Sequence, residues 1–331
     1  MILVAGSANL DFVVRASHIP APGETVLGRE FKTYPGGKGA NQAAACARAG
    51  GAPTHMLLAL GDDVYARPLE ESLLAANVKL HIVRDAAHAT GTAFICVSDD
   101  AENAITVAPG ANAALQPGHW PALDGVSHLL MQLETPLETV TAYAKAAQAT
   151  GTCVVLNAAP ARSLPADLLK HVDILIANEG ELAAIAGHSA GHSAGDSANH
   201  PEDPSARQKS SIADSLAKID VPCVVVTLGH RGCVARVDGQ VLFQTAFPVT
   251  PVDTTGAGDT FCGVLVAALQ QKQSWPQALA AASAAGALAC TRPGAQSSIP
   301  ENAEVVALVA TSGKPDTDSL AALRAFCGFS A

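Results

Sequence analysis

The sequence predicts an α/β fold, a three-layer αβα sandwich with a mostly parallel central sheet and a small projecting flap. Two observations predict it. Short apolar runs recur along the chain with Ala-rich helical stretches between several of them, an alternation that places helices on both faces of a parallel sheet. Gly-rich turns open two of those helices, at residues 36–39 and 256–258, and ligands of open α/β sheets bind at such strand-to-helix edges. The chain has 331 residues and is 49% hydrophobic but only 4% aromatic. That length suits one large domain with an appendage, or two domains, with a core built from Ala, Val, Leu and Ile.

Residues 2–5, closed by Gly6 and Ser7, predict a buried first strand, and residues 6–11 a turn carrying Asn9 and Asp11. Residues 25–27 and 31–34, with Gly28 between them, predict short antiparallel strands of the flap. An Ala-rich helix follows from Gly39 to Arg48, and further strands are expected at 55–60, 93–97, 128–133, 153–156, 174–177 and 223–228. Residues 187–206 contain the tandem repeat Gly-His-Ser-Ala and then Asp, Asn, Pro and Ser, the composition of a flexible surface insertion. His188, His192 and His200 within it are metal-ligand types, but no acidic or thiol ligand is held nearby by regular structure. From Glu301 a mildly amphipathic helix is expected, followed by a second at 319–326.

The net charge of −10 opposes nucleic acid and anionic membranes as partners and leaves anions only local sites. None of the eight cysteines forms a CxxC pair, which predicts reduced thiols and a cytoplasmic protein. The first residues lack a basic leader, and no apolar run reaches the ~18 residues of a membrane span.

The motif richest in chemistry is Asp-Thr-Thr-Gly-Ala-Gly-Asp at 253–259, which opens onto an apolar helix. Backbone N–H groups at such a helix start suit a phosphate, and Asp259 stands beside them as a general base. No GxxxxGK[ST] is present and no GxGxxG follows the first strand, which argues against P-loop and dinucleotide-binding readings. Asn9 and Asp11 are suited to grip adjacent hydroxyls of a polyol, or else to cap a turn. Gly36, Gly37, Lys38, Gly39 and Asn41 put open backbone, a cation and an amide at a flap-to-helix junction; a flexible turn is the plainer alternative. Glu134 is a carboxylate at a strand end or a helix cap. Asn178 and Glu181 suit Mg²⁺ held through water, and equally an N-cap. The turn from Thr227 to Gly232 lines a nucleotide pocket or closes a hairpin to 233–237.

Taken in order, these stretches resemble the ribokinase/PfkB family of carbohydrate kinases, from about residue 6 to residue 300. The resemblance extends to residues 22–25, 110–113, 131–134, 157–162 and 291–296. It implies one kinase domain over 1–304, with lid strands mainly within 12–35 and 90–107, an insertion at 187–206 and a helical tail at 305–331. It implies transfer of the γ-phosphate of ATP to the 5-hydroxyl of ribose. Asp259 would be the base, and the amides of Gly256, Ala257 and Gly258 the anion hole. Asn9, Asp11, Gly37, Lys38, Asn41 and Glu134 would contact the sugar. Asn178, Thr227, Gly229, Gly232, Gly258 and Ser283 would serve ATP, with Ser283 where relatives often carry His or Asn. Glu181 would tune Mg²⁺ through water. Asp253, Thr255, Ala289, Arg292, Gly294 and Ser298 would hold K⁺. A homodimer through the lid is implied, with sugar and ATP as small-molecule partners. Two alternatives remain at this stage: a kinase of the same fold acting on deoxyribose, a ketose or a nucleoside, and a non-catalytic sugar- or nucleotide-sensing protein.

Overall fold

The computed structural model describes residues 1–100, 102–121, 124–187, 211–312 and 317–329. The strands are β1 (Ile2–Ala5), β2 (Asn9–Arg15), β3 (Glu30–Gly36), β4 (Thr54–Gly61), β5 (Lys79–Asp85), β6 (Gly91–Val97), β7 (Asn103–Ala108), β8 (His128–Met131), β9 (Cys153–Asn157), β10 (Ile174–Asn178), β11 (Cys223–Thr227), β12 (Gly232–Val237) and β13 (Gln240–Thr245). The helices are α1 (Lys38–Arg48), α2 (Ala66–Ala75), α3 (Leu137–Ala149), α4 (Ala166–Leu169), α5 (Glu179–Ile185), α6 (Ile212–Ala217), α7 (Ala257–Gln270), α8 (Trp275–Ala289), α9 (Asn302–Thr311) and α10 (Thr317–Cys327).

Nine strands form the main sheet in the order β13-β12-β11-β10-β9-β8-β1-β4-β5. All neighbours are parallel except β11–β12 and β12–β13. The central strands are runs of Val, Leu and Ile buried on both faces, as a helix-covered parallel sheet requires. Alternation splits them between two cores. Ile2 and Val4 join α1, α2, α7, α8 and α9 on one face. Leu3 and Ala5 join α3, α4, α5, α6 and α10 on the other. The three expected layers are therefore present. The edge strands β5 and β13 escape the sequence reading because both are mixed polar and apolar and only partly buried.

Four strands form a separate lid sheet, β3-β2-β6-β7. Two expectations are corrected here. Residues 25–27 are not a strand, and Leu27 is 88% exposed; the partner of β3 is β2, with Asp11 opposite Tyr34. Residues 6–11 do not form a turn either. The chain passes from β1 through Gly6, Ser7 and Ala8 into β2, so Asn9 and Asp11 lie on one face at the root of the lid. The cause is close backbone packing by the glycines that precede and open α1. A Cβ on Gly39 would lie 2.6 Å from the Ser7 nitrogen, and one on Gly37, whose φ is +88°, 2.7 Å from the Ala8 Cα. The Gly36 Cβ would overlap the Asp11 carboxylate.

Helices α1 and α7 cross just as closely. A Cβ on Gly263 would lie 2.6 Å from both the Ala45 Cβ and the Gln42 carbonyl oxygen, and the Cys46 thiol donates to the Gly263 carbonyl at 3.2 Å. At the far edge of the sheet, α10 packs on β13, and its Phe326 ring carries the Arg231 guanidinium 4.1 Å above its centroid. The repeat at 187–206 lies outside the described residues from His188 onward, and so do His192 and His200.

Gly263→Ala forces α1 and α7 apart and lowers stability by about 1–3 kcal/mol, the usual cost of overpacking. Urea unfolding measures it; an unchanged midpoint contradicts the close crossing.

Candidate active site

The site begins at the start of α7. Gly256 takes φ +73° as the N-cap, a left-handed conformation natural only to glycine, and its Cβ would meet the Ala295 backbone at 3.0 Å. The next residues turn their N–H groups out at the positive end of the helix dipole. The Ala257 N–H reaches the Thr254 carbonyl only at 3.3 Å, and a Cβ on Gly258 would meet nothing within 4 Å. Asp259 stands in the first helical turn. Its Oδ2 accepts from Asn41 Nδ2 at 2.9 Å and its Oδ1 from Gln42 Nε2 at 2.8 Å. Both donors come from α1, delivered by the close helix crossing.

A cavity of 160 Å³ opens beside Asp259, lined also by Lys38, Asn157, Asn178, Glu181, Thr227, Gly256 and Gly258. The Asp259 charge, followed by the Glu134 and Glu181 charges, raises the Lys38 ammonium above its ordinary value despite burial. Lys38 is thus a fixed cation in the space facing the α7 N-terminus. Burial pushes the Glu181 carboxyl up, with the Asp259 charge adding to it, while the Asn178 N–H and Lys38 pull the other way. Asn178 and Glu181 form a reciprocal capping box, each side chain accepting from the other's N–H at 2.9 and 2.8 Å, so the capping alternative holds alongside the cavity position.

On the lid side, Glu134 accepts at the first residue of α1, so the helix-cap alternative holds for it too. Its Oε2 accepts from Ser7 Oγ at 2.5 Å and from the Lys38 N–H at 3.1 Å. Asp11 faces it, and burial, with the charges of Glu134 and Asp259, raises the Asp11 carboxyl to about 7. Asn112 anchors this corner: it donates to Asn9 Oδ1 at 2.8 Å and accepts from the Ala8 N–H at 3.0 Å. The Asn41 Oδ1 is buried without a partner among the described residues.

On the opposite side lies a cavity of 720 Å³, lined by Asn178, Thr227, Gly229, His230, Gly232, Phe247, Val249, Pro251, Gly258, Phe261, Ser283 and Cys290. That volume and its largely apolar wall suit a nucleotide-sized ligand. The 227–232 turn both lines this pocket and, through β12, closes a hairpin. Ser283 lies in its wall with the Cys233 sulfur 3.8 Å from its hydroxyl.

Asp253 ties two loops together. Its Oδ1 accepts from the Thr255 N–H and its Oδ2 from the Gly294 N–H, both at 2.9 Å. Burial raises this carboxyl, but the bonds from Gly294 and Thr255 outweigh it and leave it below its ordinary value. The Arg292 N–H meets the Ala289 carbonyl at 3.3 Å, while the Arg292 guanidinium turns away to pair with Glu304. Ser298 is fully buried, its hydroxyl donating to the Ala295 carbonyl at 2.8 Å.

Of the predicted residues, Lys38, Asn178, Glu181, Thr227, Gly256, Gly258 and Asp259 share the small cavity, Gly229, Gly232 and Ser283 line the larger one, and Asp253, Thr255 and Gly294 are linked by hydrogen bonds, whereas the Arg292 and Ser298 side chains bond elsewhere. Sequence reasoning gave no role to Ser7, Gln42, Asn112, Gln132 or Asn157. Each lies inside a stretch already singled out, but its partners come from distant elements. The wall from Phe247 to Pro251 carries no sequence signal, being an irregular loop.

A helix start built for phosphate, with a carboxylate in its first turn and a polar and a nucleotide-sized pocket on either side, marks an α/β small-molecule kinase. The model of the pfkB family carbohydrate kinases matches residues 1–302, and the chain belongs to that family. It is a carbohydrate kinase, a phosphotransferase. The chain is 35% identical over 310 residues to a ribokinase of Haemophilus influenzae, covering 92% of this chain and 97% of that one. It is similar to the solved structure of Thermotoga maritima ribokinase, with TM-score 0.80, 31% identity, and coverage of 94% and 99%. Arabidopsis thaliana ribokinase complexed with ribose and ATP gives TM-score 0.79, 31% identity, and the same coverage of 94% and 99%.

The unfolded chain binds a proton at Asp11 only below its ordinary value of 3.8, whereas the native carboxyl holds one up to about 7. Between these values the native state carries more protons, so this group's contribution to stability falls as pH rises through the window. Asp11→Asn cannot ionise, and it gains stability relative to the parent on going from pH 5 to pH 8. Urea unfolding at the two pH values tests this; a stability difference equal at both contradicts the buried carboxylate cluster.

Proposed function

We propose that the protein transfers the γ-phosphate of ATP to the 5-hydroxyl of D-ribose, giving ribose 5-phosphate and ADP. The observation that carries this is Asp259, held by Asn41 and Gln42 between the polar pocket and the nucleotide-sized one. The likeness to ribokinases over nearly the whole chain supports ribose as acceptor.

In this reading ribose lies against Asn9, Asp11, Gly37, Asn41 and Glu134. The unpartnered Asn41 Oδ1 is suited to accept from a sugar hydroxyl, and an Asp11 carboxyl raised to about 7 can donate as well as accept. Asp259 takes the proton of the attacking hydroxyl. The N–H groups of Gly256, Ala257 and Gly258 receive the transferring phosphoryl oxygens. Lys38 stands in the cavity they face, so it neutralises phosphate charge and reaches the sugar only at its 5-position. ATP occupies the larger pocket against Asn178, Thr227, Gly229, Gly232 and Ser283. The lid excludes water from the transfer.

Among the described residues no group of three His, Cys, Asp or Glu is built to hold a metal. One Glu181 oxygen is engaged by the Asn178 N–H, leaving the other to orient a metal-bound water. This donor set fits a Mg²⁺ that arrives with the nucleotide and is met through water; such an ion neutralises developing phosphate charge. Asp253, Thr255 and Gly294 are drawn together by hydrogen bonds. With Ala289, Arg292 and Ser298 they would offer oxygens of the kind K⁺ accepts, and the ion would strengthen the field at the phosphate site.

Residues 1–304 act as the kinase domain, 187–206 as an insertion and 305–331 as a tail outside the chemistry. The lid exposes Phe31 and Phe94 on one face of its sheet and Ile105 and Val107 on the other, apolar surface suited to pairing lid to lid in a homodimer. Eight free thiols suit a cytoplasmic enzyme.

Asp259→Asn keeps ribose and ATP binding but lowers kcat by about 10²–10⁴-fold, measured by coupled ADP release with ribose; near-parental turnover sinks the assignment. Replacing K⁺ by a large organic cation at constant ionic strength lowers the rate; identical rates remove the cation site from the account.

A further inference from the structure

We infer that Gln42 is the positioning residue of the catalytic carboxylate, tying Asp259 to the main sheet through a buried chain of amides. This rests on the reading of Asp259 as the base. Gln42 is fully buried on α1. Its Nε2 carries two hydrogens, and both are used: one goes to Asp259 Oδ1 at 2.8 Å and one to Asn157 Oδ1 at 2.9 Å. Its Oε1 accepts from Gln132 Nε2 at 2.6 Å. The orientation follows from this network, because a flipped amide would set Oε1 against two acceptor oxygens and face its N–H₂ toward another donor.

The far end of the chain is anchored. Asn157 closes β9 and donates to the Ile176 carbonyl on the neighbouring β10 at 3.2 Å. Gln132 directly follows β8 and is itself buried. Asp259 therefore does not depend on α7 alone for its aim. Asn41 holds one oxygen, but Asn41 also keeps an unpartnered atom for the sugar side and is free to adjust when a ligand arrives. Gln42 is buried and has both donor hydrogens committed, one to Asp259 and one to the sheet residue Asn157. It fixes the carboxylate plane relative to the strands that carry the rest of the site. A displacement of about 1 Å at such a group costs about 10²-fold in rate.

The test uses Gln42→Leu, which keeps shape and burial but removes the donor. Its kcat falls about 10–100-fold while KM for ribose and for ATP stays within about threefold of the parent, since neither ligand touches Gln42. In the Asp259→Asn background the same substitution costs nothing further in kcat, because its effect passes through the carboxylate it no longer has to aim. A loss of equal size in both backgrounds, or kcat in Gln42→Leu within about threefold of the parent, overturns the inference. If Gln42→Leu does not fold, Gln42→Asn shortens the reach by one methylene and keeps the amide, and it must show the same kcat loss at unchanged KM. A parent that turns over another sugar faster than ribose overturns the substrate reading alone, and the Gln42 comparison is then made on that sugar. An Asp259→Asn variant with parental kcat overturns both.

Discussion

The structure depends on two places where backbone lies directly against backbone. At one, Gly37 and Gly39 press on residues 6–9; at the other, Gly263 of α7 presses on Gln42 and Ala45 of α1. Neither contact leaves room for a Cβ. The first turns the exit of β1 into the lid root and sets Asp11 near Glu134. The second brings the Asn41 and Gln42 amides onto Asp259. Widening either gap by a methyl group would separate residues distant in the chain that have to meet at one carboxylate.

The electrostatics follow from that crowding. Asp11, Glu134 and Asp259 converge in a partly desolvated space, and like charges so placed cannot all ionise freely. The fold distributes the burden. Glu134 accepts from Ser7 and the Lys38 N–H, Asp259 from two amides, and the Lys38 ammonium adds a cation near both. Asp11 has no such donor among the described residues, and burial, with the Glu134 and Asp259 charges, raises its carboxyl to about 7.

Legibility in the sequence tracked locality. The 253–259 stretch announced its chemistry because a glycine-capped helix start with an acid in its first turn is complete within seven consecutive residues. The buried strands of the main sheet were legible because runs such as Val154, Val155 and Leu156 admit few other placements. The lid is legible in part: the strands expected at residues 31–34 and 93–97 lie within β3 and β6. Residues 25–27 have strand-like composition but pair with no strand among the described residues, and Gly6 and Ser7 suggest a turn where the chain instead runs into β2. Glycine permits a turn but serves here as clearance: a Cβ on Gly6 would strike the Gln132 amide oxygen at 2.0 Å. Such a requirement belongs to the partner, 126 positions away by 132 − 6, and leaves no trace in the local pattern.

The sequence by itself determined the layered α/β architecture, the glycine-capped helix start with an acid in its first turn and the membership of a carbohydrate kinase family, because each rests on short-range periodicity or on motifs closed within a few residues. Only the tertiary structure decided that Gln42 links Asp259 to Gln132 and Asn157, that Asp253 clasps Gly294, and that an irregular loop at Phe247–Pro251 walls the nucleotide pocket. Hydrogen bonds between residues 41 to 217 positions apart exist only when packing has already brought both partners out of water. Their energy and direction are properties of the folded geometry rather than of either residue's neighbours in the chain.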